Sequence, residues 1–509
     1  MIRTSLINAV LLLFVVSLHA QGSYKMVLEG PQNGHFSVVS ANSADEFVAS
    51  KSVYPFQTLK VIKSEIYSFS NSSAFDTLRW DIELSRADTA LFVSTINCFP
   101  ENGEYLFLGT GTHYTNIDTL IIVSKFNWMM RLDATKNKIW EAYYPIPEGI
   151  SQTSDFYGVC VLPLTSGNYL LGRTIRVNAA VLHLQLIEIN PQGEVVKTKL
   201  FDDSQLGIIM SLTYNMQGSS VLLHLVGGQQ LNNCQSETGA YILDTANYDI
   251  TGSICYRENA TGFNQPYNAM ISPDGELIVA GSYSSYNSSS NSINRYLGVA
   301  RYDTNYQITN QILLTAPDTM TYAAWENCID INEQGEICVA ASFDNALGFY
   351  TGYYDLVYLA KLDSELNLMH ERYIGRDAEY APFYVAATGD GGIAVGGSQY
   401  DYLVNQYGEE DPFIIKTDAG LWLDTPQIHE ENIHRALVYP NPGTCELNIR
   451  TTIKQAVFRL YDTKGQLIME YPINQLSTTI PVGNLSKGVY WWTIVQRENV
   501  SDKGKWIKL

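Results

Sequence analysis

An all-β fold is predicted, a seven-bladed β-propeller followed by a small C-terminal antiparallel β-sandwich, and three observations predict it. One apolar strand–turn–apolar strand unit recurs seven times. A second, more amphipathic hairpin lies between its copies. Residues 433–509 then read as short alternating strands broken by turn residues.

The recurring unit is VVSANSADEFVAS (38–50), CFPENGEYLFLGT (98–110), CVLPLTSGNYLLGR (160–173), LTYNMQGSSVLLHLVGG (212–228), ISPDGELIVAGS (271–282), CIDINEQGEICVAAS (328–342) and VAATGDGGIAVGGS (385–398). Its turns are anchored at Asp45, Gly103, Gly167, Gly218, Gly275, Gly335 and Gly391, 51 to 64 residues apart. Strands this apolar on alternate positions of both parities expect burial on both faces. The intervening hairpins, such as FNWMMRLDATKNKIWEAYY (126–144) and VYLAKLDSELNLMHERYI (357–374), carry Asp or Asn just before the turn, where that side chain can bond local backbone. Two hairpins per unit give four antiparallel strands, the composition of one blade.

The seventh unit reaches a third strand, FIIKTDAGLWLD (413–424), and has no fourth. YKMVLEG (24–30) resembles the outer strands elsewhere, so Tyr24–Glu29 is expected to complete the last blade of a propeller spanning 21–425 and remove its open edge. Ahead of it, residues 1–20 read as a signal peptide, with Arg3 before the apolar run AVLLLFVVSL (9–18), too short to span a bilayer. No later stretch is long and apolar enough for a transmembrane segment. The formal charge of −20 argues against nucleic acid and against an anionic membrane face as partners.

Seven cysteines leave at least one unpaired. Cys160 and Cys328 sit in the repeated apolar strand and are expected as small buried hydrophobes. Cys234, in a long loop, and Cys255, near the end of the same blade, are the candidate disulfide. There is no C-x-x-C, so neither a metal nor a cofactor is expected. No G-x-S-x-G, H-E-x-x-H or P-loop occurs, and no catalytic residue is assigned. His183 and His224 alternate with apolar residues on strands and are expected to be packed or half-exposed rather than catalytic. Asp274 and Glu276 are read as turn residues, and Asp330 and Glu333 as flanking another turn. The connections from second to third strand are long and rich in Tyr, Asn and Ser: YSSYNSSSNSINRY (283–296), FDNALGFYTGYYD (343–355) and QYDYLVNQYGEED (399–411). Tyrosine offers large contact area at low entropic cost, so Tyr286, Tyr296, Tyr353, Tyr354, Tyr402 and Tyr407 are the candidate ligand-binding residues.

The tail carries VYPNP (438–442), VFRLYDTKGQLI (457–468), LSKGVYWWTIV (485–495) and KGKWIKL (503–509), in that order. It resembles the type A C-terminal sorting domain of the Bacteroidetes-type type IX secretion system, over about 433–509, after a polar linker at 426–432. Pro440, Asn441, Pro442, Gly465, Gly488, Tyr490 and Lys508 carry the pattern. The resemblance implies export through the periplasm to the outer cell surface or beyond, recognition by the type IX translocon, and often removal of the tail with attachment of the cargo to surface polysaccharide. The functional expectation is an exported propeller that binds a glycan, protein or surface partner. The alternatives are a secreted polysaccharide- or peptide-degrading enzyme with a site in the propeller channel, and a structural envelope protein.

Overall fold

The computed structural model describes residues 23–27, 33–41, 46–54, 63–71, 77–80, 88–99, 102–114, 122–178, 181–201, 206–226, 238–258, 261–287, 292–315, 321–343, 355–401, 409–423, 436–439, 442–451, 456–475, 477–496 and 499–509. The signal segment at 1–20 and the linker at 426–432 lie outside them. The chain divides into two compact units. Met1–Tyr350, Leu356–Tyr373 and Tyr380–Pro426 form the first; Thr351–Asp355, Ile374–Glu379 and Gln427–Leu509 form the second. Every regular element among the described residues is a strand.

The first unit holds seven antiparallel sheets in chain order among the described residues. Sheet two shows the pattern: Thr89–Phe99, Glu104–Tyr114, Ile122–Leu132 and Lys138–Pro145, each paired with the next. The seventh sheet contributes Glu379–Ala387, Ile393–Tyr400 and Asp411–Lys416, and its fourth strand is Tyr24–Val27. The register runs Tyr24↔Lys416 to Val27↔Phe413, antiparallel. Leu28 and Glu29 lie outside the described residues.

Apolar side chains from neighbouring sheets share one layer of core after another. Trp80 and Ile66 of sheet one pack with Phe107 and Trp128 of sheet two. Leu108 meets Leu171 across sheets two and three, Leu184 meets Leu223 across three and four, and Leu222 meets Val279 across four and five. Ile414 and Ala394 of sheet seven pack with Phe47 and Phe69 of sheet one. A strand sandwiched this way is buried on both faces, as Tyr169–Asn178 and Ile393–Tyr400 are. The burial gradient differs from the expected one in its position. Third strands such as Leu356–Leu362 are as buried as the second, and the fourth, such as Ile308–Leu314 or Leu368–Gly375, is wet. Face-to-face stacking covers the second and third strands most fully.

The turns repeat as faithfully as the strands. Gly103, Gly167, Gly218, Gly275, Gly335 and Gly391 all take positive φ, between 67° and 88°, a conformation that costs glycine nothing. In the outer hairpins the leading Asp or Asn caps its own turn. Asp303 Oδ1 accepts from Asn305 N and Gln307 N (2.8 and 2.9 Å), and Asp363 Oδ1 from Glu365 N and Asn367 N (2.9 and 2.8 Å). Asp133, Asn190 and Asp418 do the same.

A second device was not read from the sequence. The acid at or just after the inner turn pairs with a cation on the third strand of its own sheet: Glu104 with Arg131, Glu276 with Arg301, Glu336 with Lys361, and Asp390 with Lys416. Asp274 and Glu276 do stand in a turn, as expected, and both hold Arg301, which also reaches Ser364 O (2.7 Å) and Glu365 (2.6 Å) of sheet six. Between sheets two and three the buried Arg173 takes this bridging role without a carboxylate. It donates to Asn127 Oδ1 (2.9 Å), Tyr144 O (2.8 Å), Pro145 O (2.6 Å) and Gln185 Oε1 (2.9 and 2.6 Å). Burial without a counter-charge pulls its pKa down to about 9.

In the second unit, one three-stranded and one four-stranded antiparallel sheet share a core of Leu447, Ile449, Phe458, Leu460, Trp492 and Trp506. The two ends of this region are tied together: Gly443 N donates to Ile507 O (2.8 Å) and Leu509 N to Gly443 O (2.9 Å).

Candidate functional site

The first strand of each of the first five sheets is bulged, at Phe36/Val38, Val93/Thr95, Phe156/Val159, Ile209/Ser211 and Pro266/Asn268. The second strand must pass close beneath. A Cβ on Gly109 would fall 1.9 Å from Phe92 O, and one on Gly281 2.0 Å from Gln265 O. This is the physical reason for the small residues closing the repeated unit. In sheet six the bulge widens into an excursion. Tyr322–Ala323 and Ile329–Ile331 both pair with Ile337–Phe343. Ala324 N donates to Ala340 O and Ala340 N to Cys328 O, each at 3.1 Å, so residues 325–327 are looped out opposite a single residue.

The next sheet takes their amides. Trp325 N donates to Pro382 O (3.2 Å), and Glu326 N and Asn327 N to Phe383 O (2.9 and 3.0 Å); Val385 N donates back to Asn327 O (3.1 Å). Backbone held on both sides fixes where the three side chains go, and bulges of this kind re-aim side chains beside functional sites. They line a cavity of about 1020 Å³ bounded by residues 94–97, 156–163, 209–216 and 268–271, with Asp330 and Tyr384. Those segments are the first strands of sheets two to five, so the cavity lies where successive inner strands converge.

Trp325 is 60% exposed and leans on Phe383, ring centroids 6.2 Å apart and tilted by 50°. The Glu326 carboxyl is open to the cavity yet ringed by protein, and this desolvation raises its pKa. It has no hydrogen-bonding or ionic partner among the described residues. Asp330 is different. Burial pushes its pKa up to about 6, opposed by two backbone donors, Ala387 N (2.8 Å) and Ile331 N (2.9 Å), one on each oxygen. Asp330 stands in the strand Ile329–Ile331, flanking the turn, and ties sheets six and seven together, a role the sequence reading did not assign it. An apolar–acid alternation, I-D-I, was the available signal. Tyr384 is raised by its burial and then by the charges of Asp330 and Glu326. Asn268 donates to Asn327 Oδ1, and Asn327 Nδ2 to Val385 O (3.4 Å). The described lining contains no Lys, Arg or His.

Of the six candidate tyrosines, two lie among the described residues. Tyr353, Tyr354, Tyr402 and Tyr407 lie outside the described residues. Tyr286 and Tyr296 stand on strands, because Leu277–Asn287 and Ser292–Tyr302 run through the segment expected to be a loop. They pair with Ile293 and Tyr283, and Tyr296 packs against the core shared by sheets four and five. The ladder continues through residues of high strand propensity, Tyr283, Tyr286, Ile293 and Tyr296, a signal that the Ser and Asn content obscured. The excursion at 325–327 was missed for the opposite reason: T-Y-A-A-W-E-N-C carries neither Gly nor Pro, and Asn327 alone does not mark a break.

His224 is fully buried, as expected. Cys328 is buried too, and its thiol is pushed up to about 12; Cys160, half-buried, is raised by the same desolvation. Cys255 is disulfide-bonded, while Cys98, Cys160, Cys328, Cys338 and Cys445 are free. Cys234, the seventh, lies outside the described residues. Non-reducing peptide mapping should recover Cys234 linked to Cys255. Cys255→Ser should then cost about 3 kcal/mol through the freed loop, read as a lowered urea midpoint of the first unit.

In the tail, Pro440 and Asn441 lie outside the described residues, and Pro442 is exposed. Gly465 closes the Asp462-capped turn at φ 79°. Gly488 opens the strand Gly488–Gln496 and pairs with Lys508. Tyr490 donates to Ser486 O (2.7 Å), and the mostly buried Lys508 donates to Leu509 O (2.9 Å). Among the described residues no group of three metal-ligating side chains converges, and no helix is long and apolar enough to cross a membrane.

Among solved structures, similar chains include a protein of unknown function from Dyadobacter fermentans (11% identity, TM-score 0.38, covering 64% of this chain and 95% of that one). A hypothetical protein from Leishmania major has 11% identity and TM-score 0.29, covering 54% and 88%. The β-propeller domain of the trilobed protease from Pyrococcus furiosus has 9% identity and TM-score 0.40, covering 77% and 100%. No curated protein matches the chain. Residues 437–508 match the family described as the secretion system C-terminal sorting domain. That region is a type IX sorting domain, and it directs this all-β protein to the outer cell surface or the extracellular space.

Proposed function

We propose that the protein is an exported seven-bladed β-propeller, closed by Tyr24–Val27, that binds an extracellular ligand in the cavity at residues 325–327. The sorting domain, a small β-sandwich after the 426–432 linker, delivers it. Seven sheets in succession, five of four strands and two of five, with a core layer between the seventh and the first, support the ring. The observation that carries the binding reading is the excursion itself, which spends three residues outside the ladder to present a large exposed aromatic to a cavity. Hydrolysis is the second reading, since two acids line the same cavity. It is disfavoured because both Asp330 oxygens are committed to backbone amides, which leaves Glu326 as the one available acid of the pair.

The test is binding of the full exported chain and its Trp325→Ala variant to arrays of glycans and peptides. Binding that falls at least tenfold in Trp325→Ala is the expected result. Binding that the substitution leaves intact would move the site elsewhere. Turnover of a polysaccharide or peptide panel, abolished by Glu326→Gln, would replace the reading with the hydrolytic one.

A further inference from the structure

We infer that this cavity takes a primary ammonium group, such as a lysine side chain presents on a peptide, with Glu326 as its counter-ion and the Trp325 indole as its platform. The inference rests on the cavity being the binding site. The described lining offers two carboxylates and no cation, and the Glu326 carboxyl has no ionic partner among the described residues. Elsewhere in the unit, acids at the inner turns are matched by a cation, Asp390 by Lys416 and Glu336 by Lys361. Glu326, in the excursion of sheet six, has no such cation among the described residues.

The neighbouring groups narrow the chemistry. Trp325 is adjacent in sequence and largely exposed, and a cation over an indole face is attracted by the ring quadrupole. Ser211, mostly buried on the same lining, has a hydroxyl with no partner among the described residues, a further acceptor for an N–H donor. Two of the lining amides that a neutral sugar would use are spent internally. Asn215 accepts from Ser219 N (2.8 Å) and Ser220 N (3.1 Å), and Asn268 is bonded to Asn327. Asn97 Nδ2 is an unpartnered donor on the lining, suited to the carbonyl that a peptide carries beside its amine. Residues 1–432 hold 47 Asp and Glu against 22 Lys and Arg, so the long-range field also draws cations inward.

The experiment is calorimetric titration of the full exported chain with acetyl-Gly-Lys-Gly-amide, its Nε-acetyl-lysine counterpart and cellohexaose, for wild type, Glu326→Gln and Trp325→Ala. Unchanged thermal melts check that each variant is folded. The lysine peptide should bind wild type, with at least tenfold loss on Nε-acetylation and at least tenfold loss in Glu326→Gln. Equal binding of the acetylated peptide, or an unaltered Glu326→Gln, overturns the inference. Cellohexaose binding that depends on Trp325, without lysine-peptide binding, overturns it too, while the cavity remains the site. If no probe responds to Trp325→Ala, the inference and the cavity reading fall together.

Discussion

Arg173→Met should destabilise the first unit by about 3–5 kcal/mol, read from denaturant midpoints. The methionine fills much of the space but supplies no donor. Asn127 Oδ1, Gln185 Oε1 and the carbonyls of Tyr144 and Pro145 would all lose their partner inside the layer between sheets two and three. Each orphaned buried acceptor costs a fraction of that total. Arg173→Lys should recover little, because an ammonium has three donors from one point and cannot span acceptors on three strands. Arg301→Met is the contrast. Arg301 also bridges two sheets, but its acids Asp274 and Glu365 face water and can be resolvated, so about 1 kcal/mol is expected. Equal losses at the two sites would refute the claim that desolvated neutral acceptors make Arg173 structural.

His224 should make the same unit acid-sensitive well above the carboxylate range. Its Nε2 lies 2.9 Å from Thr213 Oγ1 and its Nδ1 2.8 Å from the Tyr256 hydroxyl, and burial holds its pKa down at about 3. The folded pKa lies below the unfolded value of about 6.5. The unfolded chain therefore binds the extra proton first, and the stability His224 confers is present above pH 6.5 and is lost as pH falls toward 3. By pH 4 the loss should reach about 3 kcal/mol. His224→Gln should start less stable at neutral pH and show a correspondingly shallower decline. Asp330 acts with the opposite sign. Its pKa, raised to about 6, makes protonation favour the folded state as pH falls below that value. That contribution is common to both variants, so their difference isolates His224. Parallel pH profiles would show that His224 is not held neutral.

Much of this architecture was legible because it is local and repeated. Six of the turn glycines used to phase the repeat take the positive φ that selects glycine, and the Asp or Asn ahead of each outer turn caps it. Two consecutive buried strands have no wet face to alternate with, so V-L-L-H-L-V and I-C-V-A-A-S announce themselves. The tail was readable because four motifs fall in register within one short region. The candidate site was not readable. Tyrosine content pointed to residues 283–296, but Tyr296 is consumed by packing on the neighbouring sheet, and composition carries no record of what lies across a layer.

Sequence alone settled the β character, the period of the repeat, the chemistry of the turns and the export address, because each depends on residues within a few positions of one another. Only the tertiary structure decided that Trp325, Glu326 and Asn327 leave their ladder to be held by Pro382 and Phe383, that Asp330 is spent on Ala387, and that Arg173 fastens two sheets. Those outcomes depend on which backbone groups a neighbouring sheet leaves unsatisfied, and that is fixed by packing between segments tens of residues apart.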